Sequence, residues 1–378
     1  MTYMNTKKRI VVAMSGGVDS STAAAILASQ GNEVIGVSLH LFDYSVYSST
    51  DFGACCSLSD IEDARRVAEK LQIPFYVINF EEEFRKEVIG YFVSEYIAAK
   101  TPNPCILCNQ RIKFHHLLRK AKEIGADYLA TGHYARIGID EIAGRYYLKK
   151  GIDPAKDQSY FLFSLSQKEL GSLLFPVGEY TKGEVRVIAK KFGLKVSDKK
   201  ESQEICFIPD KDYPSFIKRE LNTVNFKEGN IVTPEGEILG KHNGIPFFTI
   251  GQRKGLGIAA GKPLYVLGLR PDRNEVVVGE KTYLKTESCL IGDVIWNAIE
   301  KPSSDIDCMV KFRYQTKEAE AVLTPLEGER VRCRFLKPQL AITPGQAAVF
   351  YDGDIVLGGG WIARENWCEV KSAKLKSN

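Results

Sequence analysis

"RIVVAMSGGVDSSTAAAILASQG", residues 9–31, passes from a β-branched apolar run through two glycines into an alanine-rich stretch that ends on a glycine. Lys8 to Met14 reads as a buried strand, and Ser20 to Gly31 as a helix closed by its C-cap glycine. Between them "AMSGGVDSS", Ala13 to Ser21, has to turn sharply. Glycine permits positive φ and lets a ligand approach the backbone closely. The helix that follows offers N–H groups without intrahelical partners and a partial positive charge. The hydroxyls of Ser15, Ser20 and Ser21 add donors, so the turn reads as a phosphate cradle. It is not a Walker A loop, because no Gly-Lys-Ser/Thr follows, and it lacks the dinucleotide-binding spacing.

Outward from this turn, strands and helices alternate. Glu33 to Phe42 is the next strand, and "SLSDIEDARRVAEKLQI" is a helix capped by Ser57 or Ser59. "PFYVINF" is a third strand, followed by a helix of roughly Glu82 to Lys100 and a cysteine-bearing turn. "KFHHLLRKAKEIG" reads as another helix, and Asp127 to Ala135 as a strand running into a loop. Such alternation predicts a doubly wound parallel sheet, an α/β fold whose ligands bind beyond the carboxyl ends of the strands. Ser15, Leu39 and Gly132-His133 stand at or near such ends.

The texture changes after about residue 206. "GNIVTPEGEILGKHNG" and "FFTIGQRKGLGI" are glycine-rich with short apolar runs, and from about residue 275 short alternating segments are broken by Gly, Pro or Asp. These predict an antiparallel barrel or sandwich. The expected boundaries divide the chain into 1–209, 210–274 and 275–378. The final "KSAKLKSN" reads as a frayed tail.

The chain has 378 residues, 44% hydrophobic and 26% charged, a composition of globular domains, and more length than one ordinary domain needs. No apolar run reaches the roughly 18 residues that span a bilayer. The basic N-terminus runs into a strand and a glycine turn, unlike a signal peptide. A cytoplasmic location is expected, where the nine cysteines would be thiols, metal ligands or catalytic groups. A net charge of +4 means that any nucleic-acid surface must be a local patch.

Cys105 and Cys108 sit in "TPNPCILCN", and Cys206 in "SQEICFIP". Packing, a redox pair, a zinc clip and sulfur handling are all open for them. The two prolines make the segment a poor place for apolar packing. A second Cys-x-x-Cys, which a zinc clip would want, is absent. A thiol near its ordinary pKa is only slightly ionised at neutral pH, so a reactive one needs activating neighbours. Arg111 and Lys113 follow Cys108 and could serve, or could be a solvated helix start.

Taken together, SGGVDSS, NPCILCN, TGHYA, "KDQSYFL" (Lys156 to Leu162), SQEICFI, "GQRKGLGI" and "TPGQAAVF" resemble, in order and over nearly the whole chain, the tRNA-specific 2-thiouridylases. These are ATP pyrophosphatases with an α/β nucleotide-binding domain, a small central domain and a C-terminal β-barrel. The resemblance implies a sulfurtransferase that uses ATP to adenylate O2 of the wobble uridine in tRNA. A sulfur nucleophile then attacks C2 and AMP leaves. It further implies that Ala13, Met14, Ser15, Gly16, Gly17, Val18, Asp19, Ser20, Leu39 and Gly132 bind ATP, with Asp19 suited to magnesium. Asn103, Pro104 and Cys105 would meet the target base. His133, Lys156, Asp157, Gln158, Arg313, Tyr314 and Gln346 would touch tRNA. Cys108 would be a catalytic cysteine and Cys206 the persulfide carrier, loaded by a cysteine desulfurase or a sulfur carrier protein.

Much of the family has Asp where this chain has Cys105. Cys105, Cys108 and Cys206 resemble the three thiolates of sulfurtransferases that hold a 4Fe–4S cluster with one open iron. That puts the persulfide relay in doubt and favours the cluster. Two other readings remain: an ATP pyrophosphatase acting on a small carbonyl compound, and a non-catalytic RNA-binding protein clipped by metal. Cys55-Cys56 is expected to be buried or a surface thiol pair. Cys289, Cys308, Cys333 and Cys368 are expected in strand cores, and His115-His116 solvated or packed. The mixed charges of residues 311–338 fit either a wet strand face or a backbone-contacting patch.

Overall fold

The computed structural model describes residues 7–42, 58–199, 205–208, 210, 212–221 and 226–364. Ser57, Cys55, Cys56, Cys368 and the tail from Lys371 lie outside them. The chain forms two compact units. The first comprises residues 1–89, 104–211 and 354–357, and the second residues 90–103, 212–353 and 358–378.

In the first unit, β1 (Arg9–Ala13), β2 (Glu33–His40), β3 (Phe75–Asn79) and β4 (Tyr128–Ala130) are parallel neighbours in one sheet. After a hairpin of β5 (Ala135–Asp140) and β6 (Arg145–Lys150), β7 (Leu173–Leu174) completes the order β3-β2-β1-β4-β7. Ile355 and Val356 add antiparallel to β6. The β1 side chains Ile10, Val11 and Val12 are at most 2% exposed, which explains a continuous apolar run rather than an alternating one. Helices α1 (Val18–Ser29) and α2 (Leu58–Leu71) follow β1 and β2. Ala23, Ala24 and Ala25 of α1 are fully buried with Val185 and Ala189 of the helix Lys182–Lys191, where small side chains let helices approach closely. Chain order reverses between β1 and β4, so their carboxyl ends flank a topological switch point, the usual ligand position in this fold class.

Two expectations need correction. The cysteine-bearing segment is not a turn: helix begins at Pro104 (Pro104–Leu107), continues as a π-helical stretch (Cys108–Leu117) and ends with Leu118–Glu123. Pro104 at the first helical position explains the early start, since its missing N–H costs nothing there. Glu275–Gly279 is not the first barrel strand. It is β11, in a four-stranded sheet of the second unit with β8 (Gly229–Val232), β9 (Ile238–His242) and β10 (Tyr265–Arg270), in the order β10-β11-β8-β9. Alternation shows that a segment is a strand but does not name its partner.

The barrel strands are β12 (Lys285–Trp296), β13 (Ile306–Lys311), β14 (Ala319–Pro325), β15 (Val331–Leu340), β16 (Ala347–Asp352) and β17 (Ile355–Ile362), the last counted in the second unit from residue 358. The order is β12-β15-β14-β13-β16-β17, and β12 pairs with β17 to close it. Closure removes the exposed edges of a β-sheet. Cys289 and Cys333 face each other across β12 and β15 and are buried, as expected, while Cys308 is half-buried with burial pushing its thiol up to about 12. Among the described residues no helix is long and apolar enough to cross a membrane.

Candidate active site

The glycine turn after β1 is built for close backbone contact. Gly16 has φ +69°, and a Cβ there would stand 2.1 Å from the Asp60 carbonyl oxygen. Gly132, beyond the end of β4, is equally constrained: its Cβ would lie 2.5 Å from the Ser20 amide nitrogen and 2.7 Å from the Asp19 carbonyl carbon. The ends of β1 and β4 thus meet at the first turn of α1. Gly17 occupies the N-cap of α1 and supplies no side-chain cap, which leaves the early N–H groups of the helix unsatisfied by a cap. The Ser15 amide donates to Ser20 Oγ (3.1 Å), which lies 3.3 Å from Ser15 Oγ. The buried Ser21 hydroxyl has no hydrogen-bond partner among the described residues. Uncapped amides, an unpartnered hydroxyl and no room for a Cβ fit an anion such as a nucleotide phosphate. Leu39 is buried in β2, and Ser38 donates to the Met14 carbonyl at 2.5 Å, tying β2 to the base of the turn.

Asp19, in the first turn of α1, is already engaged. Lys182 donates to both of its oxygens at 2.8 Å, and the Tyr134 hydroxyl donates to Oδ1 at 2.6 Å. Among the described residues, Oδ2 of Asp19 accepts from Lys182 alone and keeps acceptor capacity. Lys182 and Tyr134 were not singled out from the sequence. A signal for Lys182 existed: "TKGE", Thr181 to Glu184, is a capping box whose reciprocal bonds both form. It puts a lysine at the first helical position, where the helix dipole disfavours a cation unless an anion faces it.

A second ammonium braces the turn from the other side. Lys199 donates to the Gly16 carbonyl (3.2 Å), Asp60 (2.6 Å) and Asp63 (2.5 Å). Partial burial works against its charge, but its bonds to Asp60 and Asp63 and their negative charge outweigh that and raise its pKa.

Cys105 is exposed, and Cys108 and Cys206 are half-buried thiols. Cys105 and Cys108 lie in the opening turns of their helix, where the dipole favours a thiolate. Cys206 sits in a turn closed by the Ile208 amide on the Ile205 carbonyl. Phe207 anchors that turn edge-on against Phe84, 5.6 Å between ring centroids. Phe84 directly precedes the π-helical turn Arg85–Ile89, which also packs on Pro104–Leu107. The fold therefore docks the Cys206 turn on the helical segment that supports the Cys105–Cys108 helix. Among the described residues, however, no three His, Cys, Asp or Glu side chains are grouped so as to hold a metal ion.

Arg111 is exposed, and Lys113 donates to the Asn109 side chain at 2.9 Å. Asn109 in turn donates to the Phe161 carbonyl, linking the cysteine helix to the KDQSYFL segment. His116 pairs with Glu87 at 2.8 Å, and His115 is exposed, as expected.

The remaining sequence-selected residues are dispersed. His133 is buried beside Phe114 and Phe175, with Nδ1 2.7 Å from the Thr131 hydroxyl. Burial, then the Lys113 charge, holds its pKa well below the ordinary value. Asp157 accepts from the Gly151 and Ser159 amides and the Ser159 hydroxyl, and Gln158 accepts from the Tyr134 amide. Lys156 is half-buried. In the second unit, Arg313 donates to the Ala341 carbonyl and the Thr343 hydroxyl, and Lys311 lies over the Tyr314 ring. Gln346 donates to the Thr101 carbonyl at 2.7 Å, and Thr101 donates its amide to Pro344, fixing the strand of chain that leads to Asn103.

Comparison with known proteins finds matches over nearly the whole length. Residues 8–210 match the model of the tRNA methyl transferase HUP domain, 214–280 that of the tRNA methyl transferase PRC-barrel domain, and 286–362 that of the aminomethyltransferase beta-barrel domain. The chain is 53% identical over 359 residues to the tRNA-specific 2-thiouridylase MnmA of Geobacter metallireducens, covering 94% of this chain and 97% of that one. It is 53% identical over 365 residues to that of Geotalea uraniireducens, covering 96% of each. Among solved structures, a 4-thiouridine synthetase–RNA complex with bound ATP aligns at a TM-score of 0.35 and 15% identity, covering 57% of this chain and 50% of that chain.

Proposed function

The chain belongs to the tRNA-specific 2-thiouridylase family, and from that membership we propose that it is a tRNA-uridine 2-sulfurtransferase. Its substrates are ATP and the wobble uridine of tRNA, and its products are 2-thiouridine, AMP and pyrophosphate. The observation that carries this reading is the glycine turn at the sheet's switch point, uncapped and closed to any Cβ at Gly16 and Gly132.

The residues divide the work. Ala13 to Ser20, Leu39 and Gly132 hold ATP, with the phosphates on the amides that open α1. Asp19 would hold magnesium near the leaving phosphates, with Lys182 beside it. Uridine O2 bonds to the α-phosphorus, the α–β phosphoanhydride bond breaks, and pyrophosphate leaves with the electron pair. The N3 proton of the uridine is lost to solvent. Sulfur then attacks C2 and the C2–O bond breaks, so AMP carries the oxygen away.

The relay reading delivers sulfur as a persulfide on Cys206, supplied by a cysteine desulfurase or a sulfur carrier protein. Its terminal sulfur bonds to C2. The Cys108 thiolate then attacks Cys206 Sγ and breaks the S–S bond; the pair stays on the sulfur at C2, solvent returns a proton to N3, and a Cys108–Cys206 disulfide is left for an external thiol to reduce. The docking of Phe207 on Phe84, next to the turn that packs on Pro104–Leu107, supports this route. The 4Fe–4S alternative rests on the Cys105, Cys108 and Cys206 pattern alone, and no step is assigned to it.

Asn103, Pro104 and Cys105 meet the base, which must leave its stack to reach them. Lys156, Arg313, Tyr314 and Gln346 contact tRNA. His133, Asp157 and Gln158 contact tRNA as well, each already held by a bond within the protein. The C-terminal barrel is the tRNA-contacting domain, and the cytoplasm is the expected site of the reaction, where ATP and tRNA meet.

The test is incubation of the protein with ATP, magnesium, a sulfur donor and unmodified tRNA, followed by digestion and detection of 2-thiouridine. Its absence under anaerobic, iron-replete conditions overturns the reading. Pyrophosphate release that responds to a metabolite and ignores tRNA would favour the small-carbonyl alternative.

A further inference from the structure

We propose that Thr101 and Gly345 are positioning residues for uridine capture: the barrel turn 344–346 clamps the Thr101 backbone and so sets where Asn103 meets the base. The inference rests on the assignment of Asn103 to the target base above and adds the device that places it.

The local sequence makes the segment stiff. It reads Thr101-Pro102-Asn103-Pro104, and residues 101–103 carry no regular secondary structure after the helix Gly90–Ile97. Each proline fixes its own φ and removes an N–H. It also restricts the residue before it to extended backbone, here Thr101 and Asn103. Such alternating constraints leave little slack, so the placement of Thr101 carries through to Asn103 two positions on.

The polar groups of Thr101 are all engaged within the second unit. Its amide donates to the Pro344 carbonyl at 2.9 Å, and its carbonyl accepts from the Gln346 side chain at 2.7 Å. These two bonds engage the peptide planes on either side of the Thr101 Cα, which pins both of its torsions. Its hydroxyl donates to that of Thr249 at 3.4 Å, in the TIGQRKGLGI stretch, where the Thr249 amide is itself held by Gln252. Gly345 permits the approach. It stands at φ +88°, and a Cβ there would lie 3.0 Å from both the Thr101 amide nitrogen and Lys100 Cβ, and 3.1 Å from the Thr101 carbonyl oxygen. The turn is braced in its own right: the Gly345 amide donates to the Ile362 carbonyl and the Gln346 amide to the Thr343 carbonyl, while Arg313 holds Ala341 and Thr343. A uridine out of its stack is captured only where its contacts already stand, and a misplacement of about 1 Å can cost on the order of 100-fold in rate. The clamp supplies that placement without touching the base.

The experiment compares wild type with Gly345→Ala, Thr101→Val and Gly353→Ala. Gly353 is the control: it is also at positive φ (+54°) in the same unit, but a Cβ there meets nothing within 4 Å. Each protein is bound to an anticodon stem-loop carrying 2-aminopurine beside the target uridine, whose fluorescence rises when the neighbouring base leaves its stack. Affinity for tRNA, affinity for ATP and turnover to 2-thiouridine are measured on the same proteins. Gly345→Ala is expected to lose at least about half of the fluorescence rise and to lower kcat on the order of tenfold, with ATP affinity within about twofold and tRNA affinity within about threefold. Thr101→Val keeps the glycine and both bonds to the turn, and shows a smaller loss of the same kind, about threefold in kcat. Gly353→Ala melts lower, as a side chain at positive φ must, yet captures and converts the uridine as wild type does. Wild-type capture and turnover in Gly345→Ala, or in Thr101→Val should the glycine variant not fold, overturns the inference. So does a Gly353→Ala that fails as Gly345→Ala does, because strain in the barrel would then explain both. If wild type itself forms no 2-thiouridine and gives no fluorescence rise, the functional reading falls and takes the inference with it.

Discussion

Gly132 abuts the first turn of α1: a Cβ at Gly132 would stand 2.5 Å from the Ser20 amide nitrogen. The obstacle is backbone at the end of a buried strand, so neither side can yield cheaply. Gly132→Ala is expected to cost about 1–3 kcal/mol of stability. It should also weaken ATP binding, because the displaced amides are those assigned to the phosphates. Urea denaturation and a calorimetric ATP titration check both. Wild-type stability and affinity in the variant would remove Gly132 from the site.

Lys199 ties the Gly16 carbonyl to Asp60 and Asp63. Its pKa is raised in the folded state, so its contribution to stability is fully present below the unfolded value of about 10.4 and is lost as pH rises through the folded value. Lys199→Met should destabilise the protein by about 1–2 kcal/mol at neutral pH, a figure reduced for partial exposure. The gap between variant and wild type should narrow above pH 10. Melting temperatures across alkaline pH measure this, and a constant gap would contradict it.

His133 is buried and held neutral. Its folded pKa is depressed, so the unfolded chain takes up the proton first. Stability is therefore complete above about pH 6.5 and falls as pH drops below it, until the folded value is reached. His133→Phe should flatten the melting profile between about pH 6.5 and pH 5. An unchanged slope would mean that other groups set it.

The cysteines can be separated by stage. Cys108→Ser and Cys206→Ser should abolish 2-thiouridine formation while tRNA-dependent pyrophosphate release persists, because adenylation needs no thiol. Cys105→Asp should keep thiolation on the relay reading. Iron and acid-labile sulfide, assayed on anaerobically purified protein, decide between the two routes: their absence even after reconstitution keeps the relay. Iron and sulfide present in wild type and lost in Cys105→Asp would replace the relay with a cluster.

The parallel sheet was legible because burial on both faces leaves a continuous β-branched run such as Ile10 to Val12, and because SGGVDSS between strand and helix has one economical conformation. The helical start at Pro104 was misread because two prolines and a cysteine pair look like a turn until the first helical position is recognised. The pairing of Glu275–Gly279 with β8 and β10 was hidden because alternation carries no information about which strand lies alongside.

The sequence by itself determined the kinds of elements, the glycine cradle and the thiols available, since these follow from local sterics and side-chain chemistry. Tertiary structure alone decided that Lys182, 163 positions from Asp19, closes on that carboxylate. It also decided that Phe207 carries the Cys206 turn to Phe84 and that His133 is enclosed rather than presented. Ion pairs and aromatic contacts act through space over a few ångströms, and only the folded chain sets which distant residues come that close.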